Sequence, residues 1–167
     1  RFEFGGSYTF FQSTFANYWN QTNNSQASND RTTPSFYFGN YVNSTQISYA
    51  SDSLYFGNCI LDGSLAEEFQ FDTIAGAINA FGLLKFDHTM LKTQMFPSNG
   101  AHTSACLINN PTSFVNPSTS NFKINSNSAA IATGSLFANG GFINDITGNN
   151  FVGSNSNGQP DWGAYAH

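Results

Sequence analysis

Charged residues are scarce in this sequence. Lys, Arg, Asp and Glu make up 9% of the 167 residues, whereas a typical soluble domain has about 25%. The formal net charge is -5, and the five Lys and Arg residues form no cluster. Because nucleic-acid binding depends on basic groups that neutralise phosphates, this composition argues against a nucleic-acid partner.

Long apolar runs and several catalytic signatures are also missing. No run of about 18 apolar residues occurs, so no transmembrane helix is predicted. Neither a glycine-rich phosphate loop nor a G-x-S-x-G motif is present. The chain starts at Arg1 without Met or a signal peptide, and we expect it to be a processed or truncated product that lacks the upstream part of its parent chain.

Cysteine is limited to Cys59 and Cys106, which are too few to define a disulfide framework. A single bridge between them would fit an oxidising compartment. We favour the alternative that both are small buried hydrophobic residues.

Aromatic residues, in contrast, are abundant. They make up 16% of the chain and include 18 Phe, which argues against disorder, since disordered chains have little apolar surface and a high net charge. Asn, Ser, Thr and Gly fill the stretches between the Phe-rich runs. This pattern predicts many short strands joined by turns, with the neutral, Asn-rich surface typical of extracellular β-rich proteins.

A degenerate repeat runs along the chain. Residues 9–16, 54–61 and 84–91 align, and the alignment puts Phe11, Phe56 and Phe86 in one position. We expect these three side chains to stack as a ladder in the interior. A weaker fourth copy covers residues 36–42. A second set of short runs lies at residues 36–38, 68–71 and 106–108, so each repeat is predicted to supply a strand to each of two or more sheets.

The stretches between these runs are polar and are predicted to be loops. They cover residues 20–34, 93–104 and 109–120. Residues 73–84 are the one helix-compatible segment, and two glycines weaken that assignment. No linker or shift in composition divides the chain into two domains.

The C-terminal stretch carries three short blocks, NSAAIATG, NDITGNN and GQPDWGAY. Their order resembles the closing segment of secreted right-handed parallel β-helix proteins of the Bacteroidetes. The matching positions are Ser128, Ala130, Ile131, Gly134, Asp145, Gly148, Pro160, Asp161, Gly163, Ala164 and Tyr165. The sequence departs from the family at Ala129, Ala132, Asn149 or Asn150, and Ala166, where the family usually has Pro, Asp, Arg and Glu.

The resemblance implies an all-β, right-handed parallel β-helix. Residues 1–126 would form coils with loop excursions, and residues 127–167 would pack over the last coil as a cap of the same domain. The residues expected to hold the cap are Ile131, Gly134, Asp145, Gly148, Asp161, Trp162, Gly163 and Tyr165.

Few residues are candidates for metal binding or catalysis. Glu68 and Asp72, in the only acidic cluster, are weak candidates for a Ca²⁺ site, but a solvated turn edge is the favoured interpretation. His88 lies beside Asp87 and near Lys85, an arrangement that resembles an acid/base group, but it occupies a polar position of the repeat and is better explained as a structural residue. No other metal site, cofactor or catalytic residue is predicted.

Four aromatic residues are candidates for stacking on sugar rings: Tyr18, Trp19, Tyr41 and Tyr55. The alternative is that they pack beneath the loop of residues 20–34. The sequence therefore favours a non-catalytic extracellular or outer-membrane surface module, adhesin-like or an accessory subunit, with surface proteins or glycans as partners. The alternatives are the C-terminal fragment of a polysaccharide lyase or hydrolase, and a carbohydrate-binding module.

Overall fold

A computed structural model of the chain describes residues 2, 6–18, 31–39, 41–42, 45–46, 53–72, 83–151 and 157–166. Within these residues the structure is all-β and contains short strands, turns and two 3-10 helices, Pro117–Thr119 and Phe137–Asn139. The strands are β1 (Ser7–Phe11), β2 (Thr14–Asn17), β3 (Phe36–Gly39), β4 (Tyr41–Val42), β5 (Thr45–Gln46), β6 (Ser53–Gly57), β7 (Ile60–Gly63), β8 (Phe69–Asp72), β9 (Leu83–Asp87), β10 (Met90–Leu91), β11 (Thr103–Ser104), β12 (Leu107–Ile108), β13 (Phe114–Asn116) and β14 (Asn121–Ile124).

Most strands of the described region pair in parallel, and they form three sheets. The first sheet has the order β1-β6-β9-β11, the second has the order β2-β7-β10-β12, and the third pairs β3 with β8. Successive repeats thus add neighbouring strands to the first two sheets. Two antiparallel hairpins, β4-β5 and β13-β14, lie outside them. The predicted all-β structure with parallel strands is confirmed.

The predicted Phe ladder is correct at two positions and wrong at the third. Phe56 pairs with Phe86 across the first sheet, but the residue opposite Phe56 on β1 is Phe10, because Phe11 lies opposite Gly57. A shift by one residue reverses the face of a strand. Phe10 therefore stacks on Phe56 at 5.1 Å between ring centroids, and Phe56 on Phe86 at 4.9 Å, whereas Phe11 lies on the opposite face beside Tyr55.

A recurrent turn, which we call the corner turn, joins the first two sheets. In each repeat its first residue has a positive φ; these residues are Gln12, Asn58, His88 and Ala105. The next residue is small and donates a hydrogen bond to the carbonyl two positions earlier; these residues are Ser13, Cys59, Thr89 and Cys106. The corner turn has the same length and a similar φ in each repeat, so the strands before and after it keep a common register.

Both cysteines lie in corner turns. They are free and buried, as the favoured interpretation predicted. Burial raises the pKa of Cys59 to about 12 and that of Cys106 to about 11, so both remain thiols at neutral pH.

Side chains along the strands of the second sheet point alternately to its two faces, and both faces are buried. Leu61 and Leu91 pack in the interior with the Phe column, while their neighbours Ile60 and Met90 point outward into a second cluster with Trp162. Hairpin β13-β14 contributes Phe114 and Ile124 to that outer cluster.

The C-terminal segment, of which residues 127–151 and 157–166 are described, contacts the corner turns of earlier repeats, which differs from the expected cap over the last coil. The backbone N–H of Gly163 donates to the carbonyl of Asn58, in the second repeat. The N–H of Ala164 donates to Thr14 Oγ1, in the first repeat. Trp162 lies edge-on to His88, in the third repeat. The segment therefore runs alongside three repeats. There Trp162 packs on the apolar outer face of the second sheet and buries it.

Several predicted segments are also revised. Residues 36–39 form a strand of the third sheet, in line with the second set of runs, so 36–42 is not a fourth copy of the repeat. The fourth copy is residues 103–108, which supply β11 and β12; the predicted loop of residues 93–104 therefore ends before β11, and residues 106–108 join the second sheet. Residues 20–30 and 73–82, parts of a predicted loop and of the helix-compatible segment, lie outside the described residues.

Among the described residues, no helix has the length and apolar character needed to cross a membrane.

The stacked Phe column gives a stability prediction. Phe56 is fully buried between Phe10 and Phe86, so Phe56→Ala is expected to lower the free energy of unfolding by about 3–5 kcal/mol. Phe137→Ala is the matched control, because Phe137 is 97% exposed, and its effect should stay within about 0.5 kcal/mol. Denaturant unfolding followed by circular dichroism measures both. Equal effects of the two substitutions would contradict the interior position of Phe56.

Candidate functional site

One polar cluster beside a pocket forms where three neighbouring parallel strands end. Tyr18 follows β2, Asp62 lies in β7 and Lys92 follows β10. Because these strands are adjacent in the second sheet and run in the same direction, their carboxyl ends bring the three side chains together. Residues 109–117, which follow β12, close the cluster from the other side.

Asp62 is the centre of this cluster. Its Oδ2 accepts hydrogen bonds from the hydroxyls of Tyr18 at 2.6 Å and Thr112 at 2.5 Å. Its Oδ1 accepts the backbone N–H of Gly63 at 2.7 Å and lies 3.6 Å from Lys92 Nζ. Both oxygens are thus engaged by the chain itself, and only 9% of the side chain is exposed. A carboxylate held in this way ties strand β7 to the segment at Thr112 and is poorly placed to act as a general base.

A pocket of about 370 Å³ opens beside Asp62. Its walls combine the Tyr18 and Phe114 rings with two prolines, the Lys92 ammonium group and the side chains of Asn109 and Asn110. Asn109 is already bonded to both backbone groups of Thr93, whereas Asn110 is exposed. An aromatic and proline wall with a few polar groups is the usual composition of a small-molecule site.

Tyr18 acts here as a neutral hydrogen-bond donor. Burial, together with the hydrogen bond to Asp62, raises its pKa well above the ordinary tyrosine value. Its ring packs against Phe114 and Phe122 at centroid distances of 5.9 and 6.2 Å. Tyr18 therefore lies at the pocket, as a sugar-stacking candidate should, but part of its ring is used in packing.

Of the other three predicted sugar-stacking residues, the described structure places the side chain of Tyr55 alone, and it lies away from this pocket. Tyr55 lies on the outer face of the first sheet, where its hydroxyl donates to Asp87 Oδ2 at 3.1 Å. Burial and the charge of Asp87 raise the Tyr55 pKa. Trp19 lies outside the described residues, as does the side chain of Tyr41, whose backbone is in β4.

Glu68 and Asp72, the candidate Ca²⁺ pair, have separate protein partners. Both Glu68 oxygens accept hydrogen bonds from the Arg31 guanidinium group in a buried ion pair. The hydroxyl and N–H of Ser35 and the N–H of Leu65 also donate to Glu68. Asp72 instead accepts the Tyr37 hydroxyl at 2.5 Å. Glu68 would have to lose its ion pair to bind a cation, so the structure argues against this Ca²⁺ site.

In the predicted acid/base arrangement of Lys85, Asp87 and His88, Lys85 and Asp87 lie in β9 of the first sheet, and His88 directly follows that strand. His88 Nδ1 lies 2.7 Å from Asp87 Oδ1, and Tyr55 occupies the other oxygen of Asp87. His88 is the positive-φ residue of the third corner turn, the position that Gln12 and Asn58 have in the first two repeats.

The predicted cap residues form a hydrogen-bonded framework within the C-terminal segment. Asp145 accepts the N–H groups of Thr147, Asn149 and Ala166. Burial opposes its ionisation, but these bonds prevail and hold its pKa below the usual range. Asp161 accepts the N–H of Ala132 at 2.7 Å.

The remaining cap residues contribute packing and turns. Ile131 and Trp162 belong to the outer cluster, and the Tyr165 ring lies 5.8 Å from Lys123 Nζ. Gly148 and Gly163 have positive φ values of 91° and 89°, which favours glycine. Gly134 donates its N–H to the Pro160 carbonyl.

Every carboxylate of the described region has a partner within the chain. Each acidic side chain there accepts at least one hydrogen bond or ion pair from the chain; these residues are Asp62, Glu67, Glu68, Asp72, Asp87, Asp145 and Asp161. In the same region no group of three or more His, Cys, Asp or Glu side chains has a geometry that would hold a metal ion.

Comparison of the chain with family models, curated proteins and solved structures found no match.

Sequence reasoning did not identify Asp62, Lys92 or Arg31 as partners in polar clusters. Arg31 and Glu68 are separated by 37 positions and Tyr18 and Asp62 by 44, so only the pairing of the strands reveals their proximity. One signal was available: Lys92 directly follows a repeat copy, and Asp62 follows the preceding one.

The buried pair gives a pH prediction. Burial disfavours the Glu68 carboxylate, but hydrogen bonds from Arg31, Leu65 and Ser35 outweigh this and lower its pKa. The resulting stabilisation is therefore present above the unfolded pKa of about 4.3 and is lost as the pH falls through the lower folded-state pKa. Glu68→Gln should cost about 3–5 kcal/mol at neutral pH and flatten the loss of stability in acid.

Urea unfolding at a series of pH values measures both effects. The matched control is Glu67→Gln, since Glu67 bonds only to the backbone N–H groups of Phe69 and Gln94 among the contacts described and should cost much less. A Glu68→Gln protein with the stability and acid profile of the native chain would show that the ion pair contributes nothing.

Proposed function

We propose that the chain is a non-catalytic module of the cell surface or the extracellular space, built as a right-handed parallel β-helix. It would serve as an adhesin-like element or as an accessory subunit of an outer-membrane assembly. The observation that carries this proposal is the state of the carboxylates: each one in the described region is engaged by the chain's own donors. Glycoside-cleaving sites need carboxylates poised toward substrate instead.

The parallel sheets support the β-helix part of the proposal. Successive repeats place strands side by side in each sheet, and the corner turn recurs at the same position. The interior is a stacked aromatic column, as expected of a repetitive fold in which each repeat contacts its neighbours. Low charge and a surface rich in Asn and Ser fit an extracellular environment.

Exposed apolar side chains support association with another protein. Five large apolar residues of the C-terminal segment are more than half exposed: Leu136, Phe137, Phe142, Ile143 and Ile146. Monomeric soluble proteins rarely expose large apolar patches unless these serve in binding.

An activity assay tests the non-catalytic part. The chain is incubated with a panel of neutral and uronate-containing polysaccharides, and reducing ends and the absorbance of unsaturated uronates are followed. We expect no product above buffer, and we expect antibody labelling of intact native cells to place the chain at the surface. Product release that is abolished by Asp62→Asn or His88→Ala would instead identify a polysaccharide lyase or hydrolase.

Carbohydrate binding without catalysis is the second candidate function, and the pocket beside Asp62 favours it. The ammonium group of Lys92 lies near the Asp62 carboxylate, so the polar wall is close to neutral overall. An aromatic wall combined with amide and ammonium donors is suited to the apolar face and hydroxyls of a neutral sugar.

Substitution at the pocket rim tests this candidate. Asn110→Trp would fill the pocket from an exposed position without disturbing the Asp62 cluster, and Asn127→Trp is the control at an exposed site elsewhere. In saturation-transfer NMR, glucose or galactose should give signals with the native chain and Asn127→Trp but not with Asn110→Trp. Preference for galacturonate, or equal binding by both variants, would contradict a neutral-sugar site at this pocket.

A further inference from the structure

A second cavity, which we call the Gln12 pocket, lies between the first corner turn and the C-terminal segment. Its volume is about 280 Å³, and it is walled mainly by apolar side chains; the residues used below are Phe11, Gln12, Phe142, Ile146 and Phe151. Phe142 and Ile146 are 53% and 73% exposed. The pocket is therefore an apolar depression at the surface.

Gln12 is the unusual member of this wall. Only 6% of the residue is exposed, and neither its buried amide nitrogen nor its buried amide oxygen has a hydrogen-bond partner in the described structure. A buried amide without partners is costly. Such a group in a native protein calls for a specific explanation, such as a ligand or water.

In the next repeat, the residue at the same position of the corner turn has hydrogen-bond partners. Asn58 is the equivalent of Gln12 in the second corner turn, with φ of 49° against 46°. Its amide nitrogen donates to the Ser135 carbonyl, and its amide oxygen accepts the Ser135 N–H, both at 2.8 Å. A primary amide at the corner turn thus holds an adjacent segment through both backbone groups of one residue.

We infer that the Gln12 pocket binds an extended polypeptide segment of a partner protein. The Gln12 amide would pair with the N–H and carbonyl of one partner residue, as Asn58 does with Ser135, and a large apolar side chain of the partner would enter the pocket between Phe142 and Ile146. A peptide is the ligand class that offers one donor and one acceptor beside an apolar side chain.

Binding at this site requires a side-chain rotation. The two amide atoms of Gln12 are covered in the unbound structure, and the side chain has one more methylene than Asn58, so a change of rotamer can carry the amide into the cavity. The unbound protein is left with the unpaired amide.

This inference rests on the proposed function in one respect: a non-catalytic surface module acts by binding a partner protein. Failure to bind peptides would leave the carboxylate argument and the activity assay untouched. Release of sugar products in that assay would overturn the proposed function whatever the Gln12 pocket binds.

The test uses N-acetyl-phenylalanine N-methylamide and N-acetyl-leucine N-methylamide, which carry one apolar side chain flanked by two peptide groups. With labelled full-length chain, NMR titration should shift the Gln12 side-chain amide signals and the methyl signals of Ile146 at millimolar concentrations. Toluene, which lacks peptide groups, should bind at least fivefold more weakly. Equal binding of toluene, or no shift with either capped amino acid, would overturn the inference.

Gln12→Met separates binding from folding. It keeps the length of the side chain and removes the unpaired amide, so the melting temperature should rise while affinity for the capped amino acids falls at least fivefold. Val115→Ser, at an exposed apolar site outside the pocket, should change neither. A lower melting temperature with unchanged peptide affinity would show that Gln12 is a structural residue satisfied by internal water, which would also overturn the inference.

Discussion

The corner turn is the constraint on which the rest of the structure depends. A positive-φ residue turns the chain from the first sheet into the second, and the Ser, Cys or Thr that follows bonds back to the strand it has left. Because the turn has the same length in each repeat, the residues before and after it keep their register across the first two sheets. A slip of one residue would put the Phe column on the outside and expose it to solvent.

The same register explains why the C-terminal segment is part of the domain. On the second sheet it directs Leu61 and Leu91 inward and leaves Ile60 and Met90 facing out. Those side chains are buried only because Trp162 and hairpin β13-β14 cover them. The segment is held beside the corner turns by two of its backbone N–H groups, which donate to the Asn58 carbonyl and to Thr14 Oγ1. The sheet and its cover therefore stabilise each other.

The sequence revealed the strand repeats but not their fine register. Phe56 and Phe86 each stand alone in their copies, whereas the first copy has the doublet Phe10-Phe11, and hydrophobicity cannot tell which of the two faces inward. The hydroxyl and thiol residues do not resolve this either, because Ser13 aligns with Cys59 and Thr89 when Phe10 matches Phe56, and Thr14 aligns with them when Phe11 does. The fourth repeat is not apparent in the sequence because its strands, β11 and β12, have only two residues each.

The polar clusters could not be predicted from the sequence, for a different reason. Asp62, Tyr18 and Lys92 meet because three strands end at one edge of a sheet, and neither composition nor local spacing encodes that meeting. Once the strands are paired, nearly every buried polar group is satisfied, as native proteins require. The amide of Gln12 is an exception, because neither its nitrogen nor its oxygen has a hydrogen-bond partner. The amide of Asn58, one repeat away, makes hydrogen bonds through both atoms. The two corner turns have the same geometry, so the difference lies in what packs against them: the chain's own segment covers the second turn, and the first faces an open apolar pocket.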